Sequence, residues 1–459
     1  MKRFDAIILG AGQAGPSLAG RLTAAGMTVA IVERKLFGGT CVNTGCMPTK
    51  TLVASARAAY VARRASDFGV LVPGPIGIDF PRVRARAAVV STNARRGVES
   101  SLKGMDRCTV LEGHACFESP DTVRVGDQRF GAERFFINVG GRARIPPLPG
   151  IDRVAHLTNS SILALETLPR HLIVVGGGAV GLEFAQMIRR FGSEVTVIEM
   201  GPRLFGREDE DVSETVKVIL EREGVAVRLG AKCIALAPAP DQGVTAHLEC
   251  DAGERSVTGS HLLLAIGRRP NTDDLGLDRA GVAVDARGFV VVDDLLRTNV
   301  EGIWALGDCN GRGAFTHTAY NDYEIVAANL LEDGHRKVSE RIEAYALYID
   351  PPLGRAGLTE AQARKTGRAL LVSKRPMTQV GRAVEKDETQ GFMKAIVDSE
   401  TKKILGAAIL GTGGDEAIHG ILYAMYAGAT STTLQRSVGI HPTVSELVPT
   451  LLGDLRPLT

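Results

Sequence analysis

Two cysteines, Cys41 and Cys46, are separated by four residues in GGTCVNTGCMPTK, residues 38–50. The 459-residue chain has seven cysteines, at 41, 46, 108, 116, 233, 250 and 309. A sparse, odd-numbered set argues against a secreted disulfide scaffold and for a reducing compartment. A close pair in such a chain points to redox or metal chemistry rather than to a structural cross-link. Asn43 and Gly45 are turn formers between the thiols, and KTLVASARAAYVARRA after them has helical composition, which predicts Cys46 near a helix N-terminus. There the dipole and unpaired N–H groups stabilise a thiolate, and thiol pKa values fall to about 3.5–7.5. Lys50, one turn on, adds positive charge on the same face. Such a pair suits dithiol–disulfide cycling. Zinc is disfavoured, because no second Cys/His pair at ligand spacing follows. Two unrelated buried cysteines remain the alternative.

The elements that must position this pair are announced by glycines. FDAIILGAGQAG reads as a buried strand running into Gly10-x-Gly12-x-x-Gly15, with a helix to about Ala25 and a second strand, MTVAIVE, ending at Glu33. The pattern recurs in HLIVVGGGAVGLEFAQMIRRFGSEVTVIE, with Gly176, Gly178 and Gly181 and an acid at Glu199. In both copies the acid stands 18 residues after the third glycine. A strand, a glycine turn and a helix form a phosphate cradle, and the acid suits a ribose hydroxyl, so two dinucleotide sites are expected. A carboxylate at 199 accepts from a free 2′-hydroxyl and repels a 2′-phosphate, which predicts NADH over NADPH. Arg203 is the one nearby residue that could reverse this, with a solvated loop arginine as the alternative.

Composition sets the frame. A chain of this length needs several cores, and 44 % apolar residues suit a globular protein that folds without staples. Fifty-four basic residues against 52 acidic ones give a net charge of +2, which offers no basis for a nucleic-acid or anionic-membrane partner. The basic start MKRFDAIILGAGQAG is too short in its apolar run for a signal peptide, and no segment reaches the roughly 18 apolar residues of a membrane span. A soluble, cytoplasmic protein is expected.

Taken in order with LLLAIGRRPNT (262–272), GIWALGD (302–308) and HPTVSE (441–446), these motifs resemble those of the pyridine nucleotide–disulfide oxidoreductases, the group of dihydrolipoamide dehydrogenase, glutathione reductase and mercuric reductase, over nearly the whole chain. The resemblance implies FAD at Gly10, Gly12, Gly15 and Glu33, with Gly39, Thr40 and Lys50 beside it and Gly307 and Asp308 at the ribityl chain. It implies NADH, with NADPH as the alternative, at Gly176, Gly178, Gly181, Glu199 and Gly267. It further implies a redox-active disulfide between Cys41 and Cys46, with Cys46 facing the flavin and Cys41 meeting the substrate, and an ion pair of Lys50 with Glu183 near the flavin. His441 and Glu446 then resemble an acid–base dyad that reaches across a homodimer, a role suited to a group titrating near neutral pH. His317 either opens a helix aimed at the flavin pyrimidine edge or is an ordinary surface histidine.

The implied fold is α/β, with two Rossmann-like dinucleotide-binding domains and a C-terminal α+β dimerisation domain. The boundaries are 1–148 for the first part of the FAD domain, closed by the Pro/Gly-rich hinge GRARIPPLPG, 149–269 for the NAD(P) domain, 270–338 for the return to the FAD domain and 339–459 for the interface domain. GGTCVNTGCMPTKTLVASARAA, PPLGRAGLTEAQAR and HPTVSELVPTLLGDL resemble mercuric-reductase-like proteins and bacterial copper(II) reductases. Against a dedicated mercury role, the chain has no preceding Cys-x-x-Cys domain, ends in LRPLT without vicinal cysteines and keeps His441. The expected activity is electron transfer from NADH through FAD and the dithiol to a soft metal ion, Hg(II) or Cu(II), or to an oxidised thiol. Dihydrolipoamide dehydrogenase and a redox-sensing flavoprotein with little turnover are the alternatives.

Overall fold

The computed structural model describes residues 1–232, 234–249 and 255–458, so Cys233 and Cys250 lie outside the described residues. The apolar run after Phe4 forms the strand Lys2–Leu9, buried from Ala6 to Leu9 on both faces as a central parallel strand must be. Val29–Glu33 and Gln128–Ile137 flank it in parallel, and Cys108–Glu112 extends the sheet beyond Val29–Glu33. Thr122–Val125 and Ala115–Ser119 add an antiparallel edge, and Ile303–Ala305 returns from far along the chain to pair in parallel with Gln128–Ile137. Helix α1 (Ala14–Ala24) buries Leu18 and Leu22 against this sheet.

The cysteines sit on two helices in tandem, α2 (Gly39–Thr44) and α3 (Cys46–Arg63), followed by α4 (Phe80–Lys103). The sequence predicts a turn between the thiols, and the structure corrects it to a short helix. Asn43 is the reason: its side-chain amide donates back to the carbonyls of Gly39 and Phe37, at 2.9 and 2.8 Å, and so closes a helical turn instead of opening a loop. The break falls on Gly45 alone (φ −133°, ψ −120°), where a Cβ would lie 2.9 Å from the Thr40 carbonyl oxygen.

A second parallel sheet runs in the order Val225–Arg228, Glu194–Ile198, His171–Val175, His261–Leu264, with α5 (Ala179–Phe191) and α6 (Glu210–Arg222) beside it. A three-stranded antiparallel sheet, Ile234–Pro238, Val244–Leu248 and Ser256–Gly259, completes this region. The start of the predicted hinge is not irregular: Gly141–Ala143 is a strand, because the chain comes back along it as Arg268–Pro270 and the two crossings pair antiparallel. Helix α7 (Thr316–Leu331) then follows the returning strand Ile303–Ala305.

From Ala344 onward an antiparallel sheet of six strands forms in the order Ala344–Leu347, Leu353–Gly357, Ile404–Leu410, Phe392–Asp398, Leu370–Pro376, Arg456–Pro457, and the helix Gly414–Tyr426 packs on it. Leu52 and Ala56 of α3 share one core with Leu182 and Phe184 of α5 and with Tyr345 and Leu353 of this last sheet. At about 1.5–3 kcal/mol for each large apolar side chain fully buried, that core fixes the cysteine-bearing helix against both neighbours. Among the described residues no helix is long and apolar enough to cross a membrane.

Candidate active site

The two glycine turns are built alike. Gly10 (φ +106°) and Gly176 (φ +112°) take left-handed backbone, and a Cβ there would lie 2.4 Å from the Asn138 oxygen and 2.5 Å from the Ala265 oxygen. Gly15 and Gly181 let their helices close on the turns, since a Cβ would lie 2.4 and 2.1 Å from the carbonyl oxygens of Gly10 and Gly176. Glu33 accepts from the N–H groups of Ala11 and Lys35, at 3.0 and 2.8 Å. Glu199 accepts from those of Gly177 and Gly201, at 2.6 and 2.7 Å. Each carboxylate is thus tied to its own turn. A Cβ on Gly178 would enter open space above the start of α5, the cradle that a pyrophosphate needs, while Gly12 lies against Gly39 and Asn138. Arg203 is half-buried in the loop after Glu199.

A cleft of about 1030 Å³ runs from Glu33 past Gly10, Gly12, Gly39 and Thr40 to Cys41 and Cys46, and its other wall carries Arg268, Gly307, Asp308 and Thr316. Burial pushes the Asp308 carboxyl up, although the Arg268 guanidinium, 3.4 Å away, pulls it back. Arg268 also donates to the Thr40 hydroxyl at 3.3 Å and to the Gly141 carbonyl. Gly307 (φ +73°) is held by its N–H to buried Asp322 at 2.8 Å, and Asp322 also takes Asn310 at 2.9 Å and Arg341. Gly267 (φ +101°) does not line the cleft; it turns the chain into the returning strand.

Cys46 is the first residue of α3 and exposed to the cleft, Cys41 is half-buried on α2, and both are free thiols. The Cys46 thiol is pulled down to about 6, because the Cys41 thiol donates to it and the Thr316 hydroxyl and the Lys50 ammonium add to that against partial desolvation. Giving its proton to that bond, together with burial, drives the Cys41 thiol far up. The pair therefore holds one thiolate, on Cys46, and one proton, on Cys41. Lys50 Nζ lies 2.6 Å from Glu183 Oε2 and over the Tyr348 ring at 4.6 Å, and buried Glu183 accepts the Tyr348 N–H at 3.0 Å.

His441 and Glu446 meet each other, Nδ1 to Oε2 at 3.0 Å, but they do not line the cleft of their own chain. The His441 side chain is 79 % exposed. His317 is at the cleft, where its Nε2 hydrogen-bonds the Ala344 carbonyl oxygen at 2.8 Å and its ring stacks on Phe315. Sequence reasoning missed Asn138, Arg268, Thr316, Asp322 and Arg341, each of which reaches the site by a contact between distant segments.

Residues 4–322 match the pyridine nucleotide-disulphide oxidoreductase family and residues 344–452 match the dimerisation domain of the same proteins. The chain belongs to this family. A probable pyridine nucleotide-disulfide oxidoreductase, RclA of Escherichia coli (strain K12), is 36 % identical over 454 residues, covering 97 % of this chain and 98 % of the relative. A dihydrolipoyl dehydrogenase of Thermus scotoductus is 34 % identical (97 % and 96 % covered) and a mercuric reductase of Streptomyces lividans 33 % (96 % and 94 %). The Cu(II) complex of the HOCl-induced flavoprotein disulfide reductase RclA from E. coli superposes with a TM-score of 0.89 at 35 % identity, covering 99 % of each chain. As a pyridine nucleotide-disulfide oxidoreductase the chain is a flavoprotein disulfide reductase, an enzyme of two Rossmann-like units and a C-terminal domain, working with FAD and NAD(P)H. The cleft fits FAD: it offers a glycine turn and the Glu33 carboxylate, a partly desolvated carboxyl at Asp308, and a thiolate at Cys46.

Proposed function

We propose that this chain takes electrons from NADH and delivers them through the Cys41–Cys46 pair to a soft metal ion, Cu(II) or Hg(II), or to an oxidised thiol. FAD, when bound, supplies two-electron transfer between the nicotinamide and the dithiol. The observation that carries the reading is the placing of two thiols in one cleft, Cys41 on α2 and Cys46 at the start of α3 with the Thr316 hydroxyl 3.3 Å from its sulfur, an arrangement that pulls proton affinity down at Cys46 and up at Cys41. Cys46 holds negative charge next to the cofactor site, and Cys41 keeps the proton until it meets the acceptor. Thiolates are soft ligands and bind Cu(II) and Hg(II) well. The E. coli relative, whose structure is a Cu(II) complex, and the Streptomyces mercuric reductase support the metal acceptor.

Gly10, Gly12, Gly15, Glu33, Gly39, Thr40, Gly307 and Asp308 hold FAD in this reading, and Gly176, Gly178, Gly181 and Glu199 hold the nicotinamide nucleotide. Glu199 favours NADH, because a carboxylate at the end of that strand would accept from a free 2′-hydroxyl and repel a 2′-phosphate. Lys50, neutralised by Glu183, places a localised positive charge beside the cofactor site without a net charge in the cleft. The chain works as a homodimer, which is what the dimerisation-domain match and the apolar side chains left open next to His441, Val438 at 98 % and Ile440 at 80 % exposure, support. A second reading, dihydrolipoyl dehydrogenase, is favoured by the 3.0 Å bond between His441 and Glu446, an acid–base pair suited to protonating a leaving thiolate.

Anaerobic NADH reduction of the purified holoenzyme, followed by Cu(II), Hg(II), glutathione disulfide and lipoamide in turn, separates the readings. Reoxidation by a metal ion alone is the expected outcome. Reoxidation by lipoamide alone makes the chain a dihydrolipoyl dehydrogenase, and no reoxidation by any of the four leaves it a redox sensor.

A further inference from the structure

Thr316 is the first residue of α7, and its Oγ1 lies 3.3 Å from Cys46 Sγ. A thiolate has no proton to give, so once Cys46 is ionised only the hydroxyl can be the donor in this contact. We propose that the Thr316 hydroxyl donates to the Cys46 thiolate and thereby lowers the proton affinity of Cys46 and raises the reduction potential of the Cys41–Cys46 pair. The assignment presupposes the dithiol relay proposed above.

The groups facing Cys46 leave this donor a distinct part. Cys41 on α2 supplies its own thiol proton, but only while the pair is reduced. Lys50, one turn along α3, brings an ammonium whose charge Glu183 of α5 cancels at 2.6 Å. Tyr348 carries its hydroxyl on a ring that sits under Lys50, and its own proton is held more tightly through burial. Thr316 is the uncharged donor from outside the cysteine pair in direct contact with the sulfur, and its β-branched side chain has few rotamers to lose. The backbone behind it is fixed as well. Phe315 is stacked between His317 and Tyr345, with ring centroids at 5.2 and 5.8 Å, and Tyr345 donates to Glu208 at 2.8 Å.

Reduction of the disulfide takes two electrons, supplied by the nicotinamide, and one proton, which goes to Cys41 while Cys46 is left as thiolate. A donor that stabilises this thiolate makes the pair easier to reduce and easier to ionise.

The test uses reduced holoenzyme with Cys41→Ser, so that Cys46 is read alone, and compares Thr316→Val and Thr316→Ser by the pH dependence of thiolate absorbance and of iodoacetamide alkylation. Thr316→Val is expected to raise the midpoint by about one pH unit, a tenfold loss of thiolate below it, while Thr316→Ser stays near the parent. In the two-cysteine protein the same tenfold change lowers the potential of the pair by about 30 mV. If Val and Ser both titrate like the parent, the proposal is overturned while the relay stands. If Cys46 of the reduced two-cysteine protein titrates as an ordinary thiol, both fall. Thr316→Ala, judged by the same criteria, takes the place of Thr316→Val should that variant lose its flavin.

Discussion

Cys41 and Cys46 carry the same functional group and end with opposite proton affinities, because one gives a hydrogen bond and the other receives it. This asymmetry has a pH signature. The depressed value of Cys46 contributes stability that is fully present above the ordinary thiol value of 9.0 and is lost as pH falls through about 6. Alkylation of the reduced enzyme at Cys46 is therefore expected to be half-maximal near pH 6 and flat above pH 7. Cys41→Ser should abolish turnover and leave a thiolate–flavin charge-transfer band; a flavin-loaded variant without that band would exchange the roles of the two residues. At this scale the sequence was most legible where partners are close along the chain. Cys41, Cys46 and Lys50 lie within ten residues, and each nucleotide acid follows its glycines at a fixed offset. Asp322, by contrast, reads as one acid among several polar residues in YNDYE, and only the fold brings Gly307, Asn310 and Arg341 to it.

Elements govern which nucleotide each residue serves. The two glycine turns share backbone geometry but stand on different sheets, so damage to one should leave the other competent. Gly176→Ala forces a Cβ to within 2.5 Å of the Ala265 oxygen at a left-handed φ, and it is expected to yield a yellow, FAD-loaded protein whose flavin NADH no longer reduces at ordinary concentrations. Gly10→Ala should instead purify without flavin. Stopped-flow reduction and the flavin-to-protein ratio distinguish the two, and loss of FAD from Gly176→Ala would show that the turns are not independent. The strand–turn–helix pattern made these elements readable from periodicity and glycine spacing. Helix α2 was not readable, because the amide of Asn43, a turn former by composition, bonds backwards along the chain.

At the scale of the whole molecule, the dyad and the cysteines of one chain are apart. His441 lies in the open directly after two strongly exposed apolar residues, Val438 and Ile440, and the proposed dimer would place it against the partner's cleft. Cys41→Ser and His441→Gln chains, each inactive as homodimers in the thiol reaction, are expected to recover about a quarter of the parent activity when mixed and allowed to exchange, since half of the dimers are then mixed and each of these holds one intact site of two. No recovery in verified mixed dimers would confine each site to a single chain. An assembly of this kind was visible to sequence reading only through resemblance, because neither spacing nor periodicity records what a second copy contributes.

The paired crossings Gly141–Ala143 and Arg268–Pro270 bear on ancestry and on engineering. A chain that leaves the first sheet and re-enters it through one narrow ribbon carries everything between as a cassette, with entry and exit side by side. Such a segment can be exchanged between proteins without rethreading the rest, provided that its α5 keeps Glu183 on Lys50 and Leu182 and Phe184 in the core shared with α3, so coenzyme choice can be redesigned while those contacts are held.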